Sequence, residues 1–248
     1  MRRKMLRSIS LPLTSILCLM VLNQAALAGP PLVCHPFEIG NARSLPWSGG
    51  SGNWNAPDKN YDINRLVEDT MALLTPGTPV LVRMETIRRA TIYAVWPDDY
   101  KVGNSAKHVN VASELLARLE ARVPDAGAKS DKNTTALALF DYGCLVESYK
   151  QASWGSPKPS LAAGIDGYAM IIKAIALRSA DPEMEFAAAL ACMGKKREEG
   201  QGAYVAHLQK AAAGTQEGSL LAQNLLRLFS DKGKTIAELR ANVARAKN

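Results

Sequence analysis

From Tyr61 onward, apolar side chains recur every three to four positions, which is the spacing of one face of an α-helix. The pattern predicts about nine helices and no strand. The predicted helices cover residues 62–74, 80–96, 105–122, 134–152, a stretch beginning near 160, 182–194, 203–213, 217–229 and a last stretch after 235. Residues 61–248 are therefore expected to form one all-α domain.

Capping residues support several of these boundaries. Thr78-Pro79 and Asp181-Pro182 each place a capping side chain directly before a proline at the first helical position. Thr235 and Glu238 have the spacing of a capping box. Because short turns join successive helices, we expect stacked antiparallel helical hairpins, arranged either as an open array or as a closed bundle.

Residues 29–60 have a different character, because prolines and glycines interrupt any regular helix there. We expect an extended N-terminal strap instead. Leu32, Phe37 and Ile39 would pack on the helices, and Leu45 and Trp47 would anchor the far end. A strap of this kind is also suited to cover a groove.

The first 28 residues predict an export signal. A basic start, an apolar run and the small residues ending at Ala28 are the parts of a cleavable signal peptide. The mature chain would be periplasmic or extracellular, with no later stretch long enough to span a membrane; general secretion and twin-arginine export both stay open. The formal net charge falls from +7 to +3 because four basic residues leave with the signal. So mild an excess predicts no nucleic-acid partner.

Three cysteines remain after this cleavage, namely Cys34, Cys144 and Cys192. An odd count in an oxidising compartment is typical of one disulfide and one thiol. Cys144 and Cys192 both fall on predicted helices and would pair if those helices are neighbours. The alternative is that both are buried as small apolar side chains.

Cys34 and His35 form the most suggestive chemical pair in the chain. Covalent haem attachment needs a second cysteine, which this segment lacks. A metal site needs three or four convergent ligands, and further imidazoles could come only from His108 and His207. A thiolate activated by a histidine is the enzymatic alternative. The packing role of the strap is favoured over these, and we expect no cofactor.

A cluster of arginines is the next candidate site. Arg83, Arg88 and Arg89 lie close together on the predicted helix over 80–96, and Glu85 precedes Arg89 by four residues. Guanidinium groups in such a cluster can clamp a phosphate or a carboxylate, so the three arginines are candidate ligand-binding residues. The favoured interpretation is a solvated helix face with salt bridges.

The last third of the mature chain suggests an internal repeat. Residues 167–193 align with residues 202–228 at a shift of 35, and both stretches read as helix, short turn, helix. With Asp181-Pro182 in the turn, this part resembles tetratricopeptide and Sel1-type helical repeats. The resemblance implies stacked hairpins that bind proteins or peptides.

No phosphate-binding loop, zinc-protease motif, redox C-x-x-C or hydrolase elbow occurs in the chain. We therefore predict a non-enzymatic module of the cell envelope that binds a protein or peptide, or serves as a scaffold. Two alternatives stay open. One is a secreted metal- or Cys/His-dependent enzyme whose site assembles in three dimensions, and the other is a sensor of a small anionic ligand.

Overall fold

The computed structural model describes residues 29–49, 53–95, 106–124, 131–179, 181–193 and 197–245. Within these ranges the chain forms ten α-helices and no β-strand, so the all-α prediction is confirmed. The helices are α1 (Pro31–Cys34), α2 (Leu66–Leu73), α3 (Val80–Val95), α4 (Ala106–Glu120), α5 (Lys132–Ala152), α6 (Gly167–Leu177), α7 (Pro182–Cys192), α8 (Arg197–Gly214), α9 (Leu220–Leu228) and α10 (Ile236–Arg245). The predicted signal peptide, residues 1–28, lies outside the described ranges.

The helices pack in the manner of stacked hairpins. Each helix from α2 to α7 contacts the next one in the chain, and α3, α5 and α7 also contact one another. These three helices are deeply buried, and α7 carries four alanines without exposed surface, Ala187, Ala188, Ala189 and Ala191. Small side chains of this kind let helices approach closely, so α7 can lie at the centre of the stack.

One close approach depends on a pair of glycines. A Cβ atom at Gly143 of α5 would lie 2.6 Å from the carbonyl oxygen of Gly167, at the start of α6. The reverse holds for a Cβ atom at Gly167, which would meet the carbonyl oxygen of Gly143 at 2.6 Å. Because no larger residue fits at either position without moving the backbone, this pair sets the distance between the two helices.

Several helix boundaries follow the capping signals in the sequence. The Asp181 carboxylate accepts hydrogen bonds from the backbone N–H groups of Glu183 and Met184 at the start of α7. Thr235 caps α10 by accepting from the N–H of Glu238, whose own carboxylate accepts from the N–H of Lys234. The capping box is therefore present with its second bond displaced by one residue.

Three boundaries differ from the prediction, and one of them is the start of α8, which lies at Arg197 rather than at residue 203. The fifth predicted helix was expected to begin near residue 160, but α6 begins at Gly167, because residues 161–165 form turns and Asp166 is the actual N-cap. The strap is not extended throughout either, since its start forms the short helix α1. Pro31 supplies a helical first position, and the N–H groups of Val33 and Cys34 both donate to the carbonyl of Pro30.

The strap packs on the helical stack through its apolar side chains. Leu32, Val33, Phe37, Ile39 and Leu45 are all buried. Helix α1 contacts α3, α5 and α7. None of the helices in the described part of the chain has the length and apolar character needed to cross a membrane.

Candidate functional site

The strap, residues 29–60, crosses a surface to which α3, α5 and α9 contribute polar side chains. We call residues 32–39 of the strap the docking segment. We call the five side chains that hydrogen-bond the backbone of this segment the docking site: Glu85, Arg88, Gln151, Asn224 and Arg227. The partners are 48 to 191 residues apart in sequence, so the site exists only in the folded chain.

Asn224 of α9 makes the most complete contact with the docking segment. Its Oδ1 atom accepts from the N–H of Glu38 at 2.7 Å, and its Nδ2 atom donates to the carbonyl of the same residue at 2.9 Å. The Asn224 side chain has no exposed surface. A buried amide that hydrogen-bonds both backbone groups of one residue fixes that residue in an extended conformation, as a neighbouring β-strand would.

The other contacts follow the segment in both directions from Glu38. The N–H of Phe37 donates to Glu85 Oε2 at 2.9 Å, and Arg227 donates to the carbonyl of Pro36. At the other end of the segment, the N–H of Leu32 donates to Gln151 Oε1 at 2.8 Å, and Arg88 donates to the carbonyl of Val33 at 3.1 Å. The docking site therefore reads backbone groups along the whole segment.

Phe37 supplies the main side-chain contact. Its ring packs edge to face against Phe186 of α7, with ring centroids 5.9 Å apart and an interplanar angle of 86°. Phe186 meets Phe229 in the same way, and Phe229 meets Tyr204. We call these three residues of the stack the aromatic cluster. Edge-to-face contacts favour an aromatic ring over an aliphatic side chain at the position of Phe37.

Glu85 is the electrostatic centre of the docking site. Its two oxygens accept from the N–H of Phe37, from Arg88 at 2.7 and 2.9 Å, and from Arg89 at 2.7 Å. Burial by itself would raise the pKa of Glu85, but the two guanidinium groups and the Phe37 N–H hold that pKa below its usual value. Glu85 is therefore a carboxylate that neutralises two cations and also binds the strap.

Arg88 and Arg89 also hold the strap beyond the docking segment. Arg88 donates to the carbonyl of Trp54 at 2.8 Å, and Arg89 donates to the carbonyl of Leu45 at 2.6 Å. Both guanidinium groups face the half-buried ring of Trp47, at 4.9 and 5.6 Å from its centroid. The contact with Trp47 is a cation–π interaction, so this predicted strap anchor packs on charged as well as apolar groups.

Arg83 lies apart from these two arginines and has a different role. It pairs with Asp141 of α5 at 2.5 Å and donates to the carbonyls of Thr78 and Thr75, which closes the turn between α2 and α3. Burial raises the pKa of Asp141 to about 6, although Arg83 works against this shift. The second oxygen of Asp141 has no hydrogen-bond partner among the described residues.

The predicted solvated face of these arginines is wrong, since Arg83 and Arg88 expose 1% and 0% of their surface. The spacing of Glu85 and Arg89 does give the expected ion pair. That the three arginines bind an anion stays a prediction. An anion there would have to displace the carboxylates of Glu85 and Asp141 from their guanidinium partners.

Cys34 and His35 lie within the docking segment and are half-buried. Burial raises the pKa of the Cys34 thiol to about 11, with Arg88 acting in the other direction, so the thiol is protonated at neutral pH. Burial, Arg227 and Arg88 all lower the pKa of His35, whose Nε2 atom is buried without a hydrogen-bond partner among the described residues. A protonated thiol beside a neutral imidazole is not an activated nucleophile.

Cys144 of α5 and Cys192 of α7 are buried free thiols, so the disulfide considered possible between them is not formed. Burial raises the pKa of Cys144 well above its ordinary value. Cys192 is in hydrogen-bond contact with Tyr168. Both residues therefore fill the small-side-chain role that was the alternative to pairing.

A second polar cluster joins α6, α7 and α8. His207 Nδ1 lies 2.5 Å from Glu185 Oε2, and its Nε2 lies 2.8 Å from the hydroxyl of Tyr168. Lys210 approaches the other oxygen of Glu185 at 3.2 Å, as an ion pair rather than as a well-directed hydrogen bond. A carboxylate that orients an imidazole toward a half-buried hydroxyl is an arrangement that can carry a proton.

Most residues of the docking site were not predicted from the sequence, although a signal was present. Leu81, Glu85, Arg88 and Ile92 recur at spacings of four, three and four, so the two charged residues lie in the apolar stripe of α3. Asn224 likewise lies on the buried face of α9, together with Leu221, Leu225 and Leu228. Polar residues inside an apolar stripe must find partners on folding, and here the strap supplies them.

In the described part of the chain, no group of three or more His, Cys, Asp or Glu side chains is arranged to hold a metal ion. Comparisons with protein-family models, with curated proteins and with solved structures find no match for this chain. The resemblance to tetratricopeptide and Sel1-type repeats therefore stays a prediction.

Proposed function

We propose that this protein is an exported, non-enzymatic interaction module that binds a polypeptide segment of a partner protein at the docking site, in the shape of the docking segment: one helical turn followed by an extended stretch. The partner segment competes there with the chain's own strap. One observation carries the proposal: five side chains from three helices bind the backbone of the docking segment rather than its side chains. Backbone groups are the same in every polypeptide, so a site that hydrogen-bonds them accepts a segment of another chain that takes the same backbone shape.

The energetics are compatible with exchange. A hydrogen bond contributes about 0.5–1.5 kcal/mol net, and somewhat more when one partner is charged. The strap has the advantage of being tethered to its site, which gives it an effective concentration in the millimolar range. A partner segment displaces the strap when its own affinity for the docking site offsets this advantage, or when the strap is bound less tightly. Changes in the strap should therefore make the docking site more available.

A labelled peptide tests the proposal directly. The peptide carries residues 30–42 with serine in place of Cys34, and it is titrated by fluorescence anisotropy into the chain that begins at Gly29. We expect weak binding to the wild-type chain and at least tenfold tighter binding to Phe37→Ala, in which the strap has lost its aromatic contact. We call a chain with a weakened strap, such as Phe37→Ala, a loosened chain. Ile39→Ala provides a second loosened chain if circular dichroism shows that Phe37→Ala does not fold.

Matched controls come from α9. In the loosened chain, Asn224→Ala should abolish peptide binding, because it removes both bonds to the backbone of one residue. Gln223→Ala changes the exposed neighbour and should leave binding intact. A loosened chain that is folded yet shows no saturable binding refutes the proposal. Binding that is unaffected by Asn224→Ala would refute it as well.

Export is part of the proposal and has its own test. The signal features of residues 1–28 predict a mature protein that begins at Gly29. N-terminal sequencing of the protein recovered from the cell exterior or the periplasm should therefore start at that glycine. A protein recovered from the cytoplasm with its first 28 residues intact would contradict this part of the proposal.

A further inference from the structure

The docking segment also indicates what kind of partner the site takes. We infer that the partner presents an aromatic, an acidic and an aliphatic residue in succession on an extended backbone, followed by a turn. Phe37-Glu38-Ile39 is the chain's own copy of this triplet. The inference rests on the proposed function, since it describes the ligand of the same docking site.

The first position is selected by the aromatic cluster. Phe37 is 4% exposed and forms an edge-to-face pair with Phe186, whose ring in turn pairs with Phe229. Both contacts have interplanar angles close to 90°, at 86° and 88°. This geometry pairs the positive edge of one ring with the negative face of the next, which an aliphatic side chain of similar volume does not reproduce.

The second position is selected by charge. The Asn224 side chain bonds both the N–H and the carbonyl of Glu38, and Arg227 donates to the same Asn224 oxygen that accepts from this N–H, which places a guanidinium group near the half-buried Glu38. Arg227 itself is fixed by its bonds to the carbonyl of Pro36 and to Asn224. A basic residue in place of Glu38 would therefore stand near a guanidinium group of like charge, at a modest cost because Arg227 is exposed.

The third position and the turn follow from the backbone. Phe37 and Ile39 are buried while Glu38 is half-buried, which is the alternation of an extended chain on a surface. Gly40 then takes a positive φ of 60°, and the N–H of Ala42 donates to the carbonyl of Ile39. The ligand chain must turn here, because the positive φ at this position ends the extended stretch and favours glycine.

A peptide series tests this chemistry against the Phe37→Ala chain, with Ile39→Ala as the second loosened chain. The parent peptide, residues 30–42 with serine at position 34, is compared with three peptides that carry F37A, E38K or I39A. We expect the F37A peptide to bind about thirtyfold more weakly, as a central aromatic anchor does. The E38K peptide should bind about threefold more weakly, and the loss should shrink in high salt because the pair is partly exposed.

Exchanging the charges gives the sharpest outcome. Arg227→Glu in the loosened chain removes the bond to Pro36, so it should weaken the parent peptide, but it should reverse the preference between the parent and the E38K peptide. If all four peptides bind equally, or if Arg227→Glu leaves the preference unchanged, the triplet inference is overturned while the proposed function stands. If no peptide binds to a folded, loosened chain, the proposed function and this inference both fail.

Discussion

Replacing Glu85 with glutamine is the most informative single change, because it removes one charge at the point where the strap and α3 meet. In the native chain, that carboxylate accepts from Phe37, Arg88 and Arg89. Arg88 has no exposed surface, and the side chain of Arg89 is 19% exposed. The variant leaves both guanidinium groups in place without a counter-ion, and its amide can accept through one oxygen only.

The expected cost follows from the burial of the pair. Breaking a buried ion pair by removing one partner costs about 3–5 kcal/mol, because the other charge is left uncompensated. A chain of this size loses about 2–4 °C in Tm for each kcal/mol, so Glu85→Gln should lower Tm by roughly 10 °C. The loss should appear first at the strap, where hydrogen exchange of the Phe37 amide should become much faster than in the wild type.

The pH dependence provides an independent check of the sign. The pKa of Glu85 is lower in the folded chain than its ordinary value of 4.5. Its stabilisation is therefore complete above about pH 4.5 and is lost as pH falls through the lower pKa of the folded state. Glu85→Gln has no such carboxylate, so the difference in unfolding free energy between wild type and variant should shrink as the solution is acidified.

The matched control is Glu68→Gln in α2. Glu68 pairs with Arg118 at 2.9 Å, but the two side chains are 70% and 48% exposed. The same substitution there should cost less than about 1 kcal/mol. Urea unfolding followed by circular dichroism measures both variants under one set of conditions. If Glu85→Gln is no more destabilising than Glu68→Gln, the account of the docking site as a buried charge centre is refuted.

Three further predictions concern other parts of the stack. Gly143→Ala should cost about 1–3 kcal/mol in unfolding free energy because its Cβ meets backbone, whereas Gly202→Ala, with open space around it, should be neutral or stabilising by up to about 1 kcal/mol; equal effects would contradict the close approach of α5 and α6. Cys34 should react with a disulfide reagent at pH 8 about 100-fold more slowly in the folded chain than in urea, since its pKa is raised to about 11, and equal rates would contradict this. Glu185→Gln should lower Tm by several degrees, because His207 loses a charge-assisted hydrogen bond, and an unchanged Tm would show that the bond contributes nothing.

The sequence predicted the fold class well because helix formation is largely local. The caps at Asp181 and Thr235 and the apolar period along each helix need no knowledge of distant residues. The start of α6 was misplaced because turns and a helix share the same composition before Asp166. Helix α1 was missed because a single turn after Pro30 is too short to have a period.

The docking site was not predictable in the same way. Glu38 and Asn224 are 186 residues apart, and no local sequence pattern around either residue indicates that the two are in contact. The arginine cluster was recognised, but it was placed in solvent, because charged residues on a helix are usually exposed. A signal of burial was nevertheless present. Glu85 lies three and four residues before Arg88 and Arg89, and it supplies the counter-charge that arginines need when they are buried.

The two sides of the docking site should respond differently to mutation, and this separates a ligand-binding role from a purely structural strap. A change in the strap, such as Phe37→Ala, weakens only the tethered occupant, so a partner peptide should gain apparent affinity. A change in the site, such as Asn224→Ala, weakens the tethered and the free occupant together, so destabilisation of the strap is not followed by a gain in binding. If the strap is only structural, both changes lower stability and neither creates a peptide site. Comparing unfolding free energy with peptide affinity for this pair of variants therefore distinguishes the two roles, even though both variants lose contacts with the same residue pair, Phe37-Glu38.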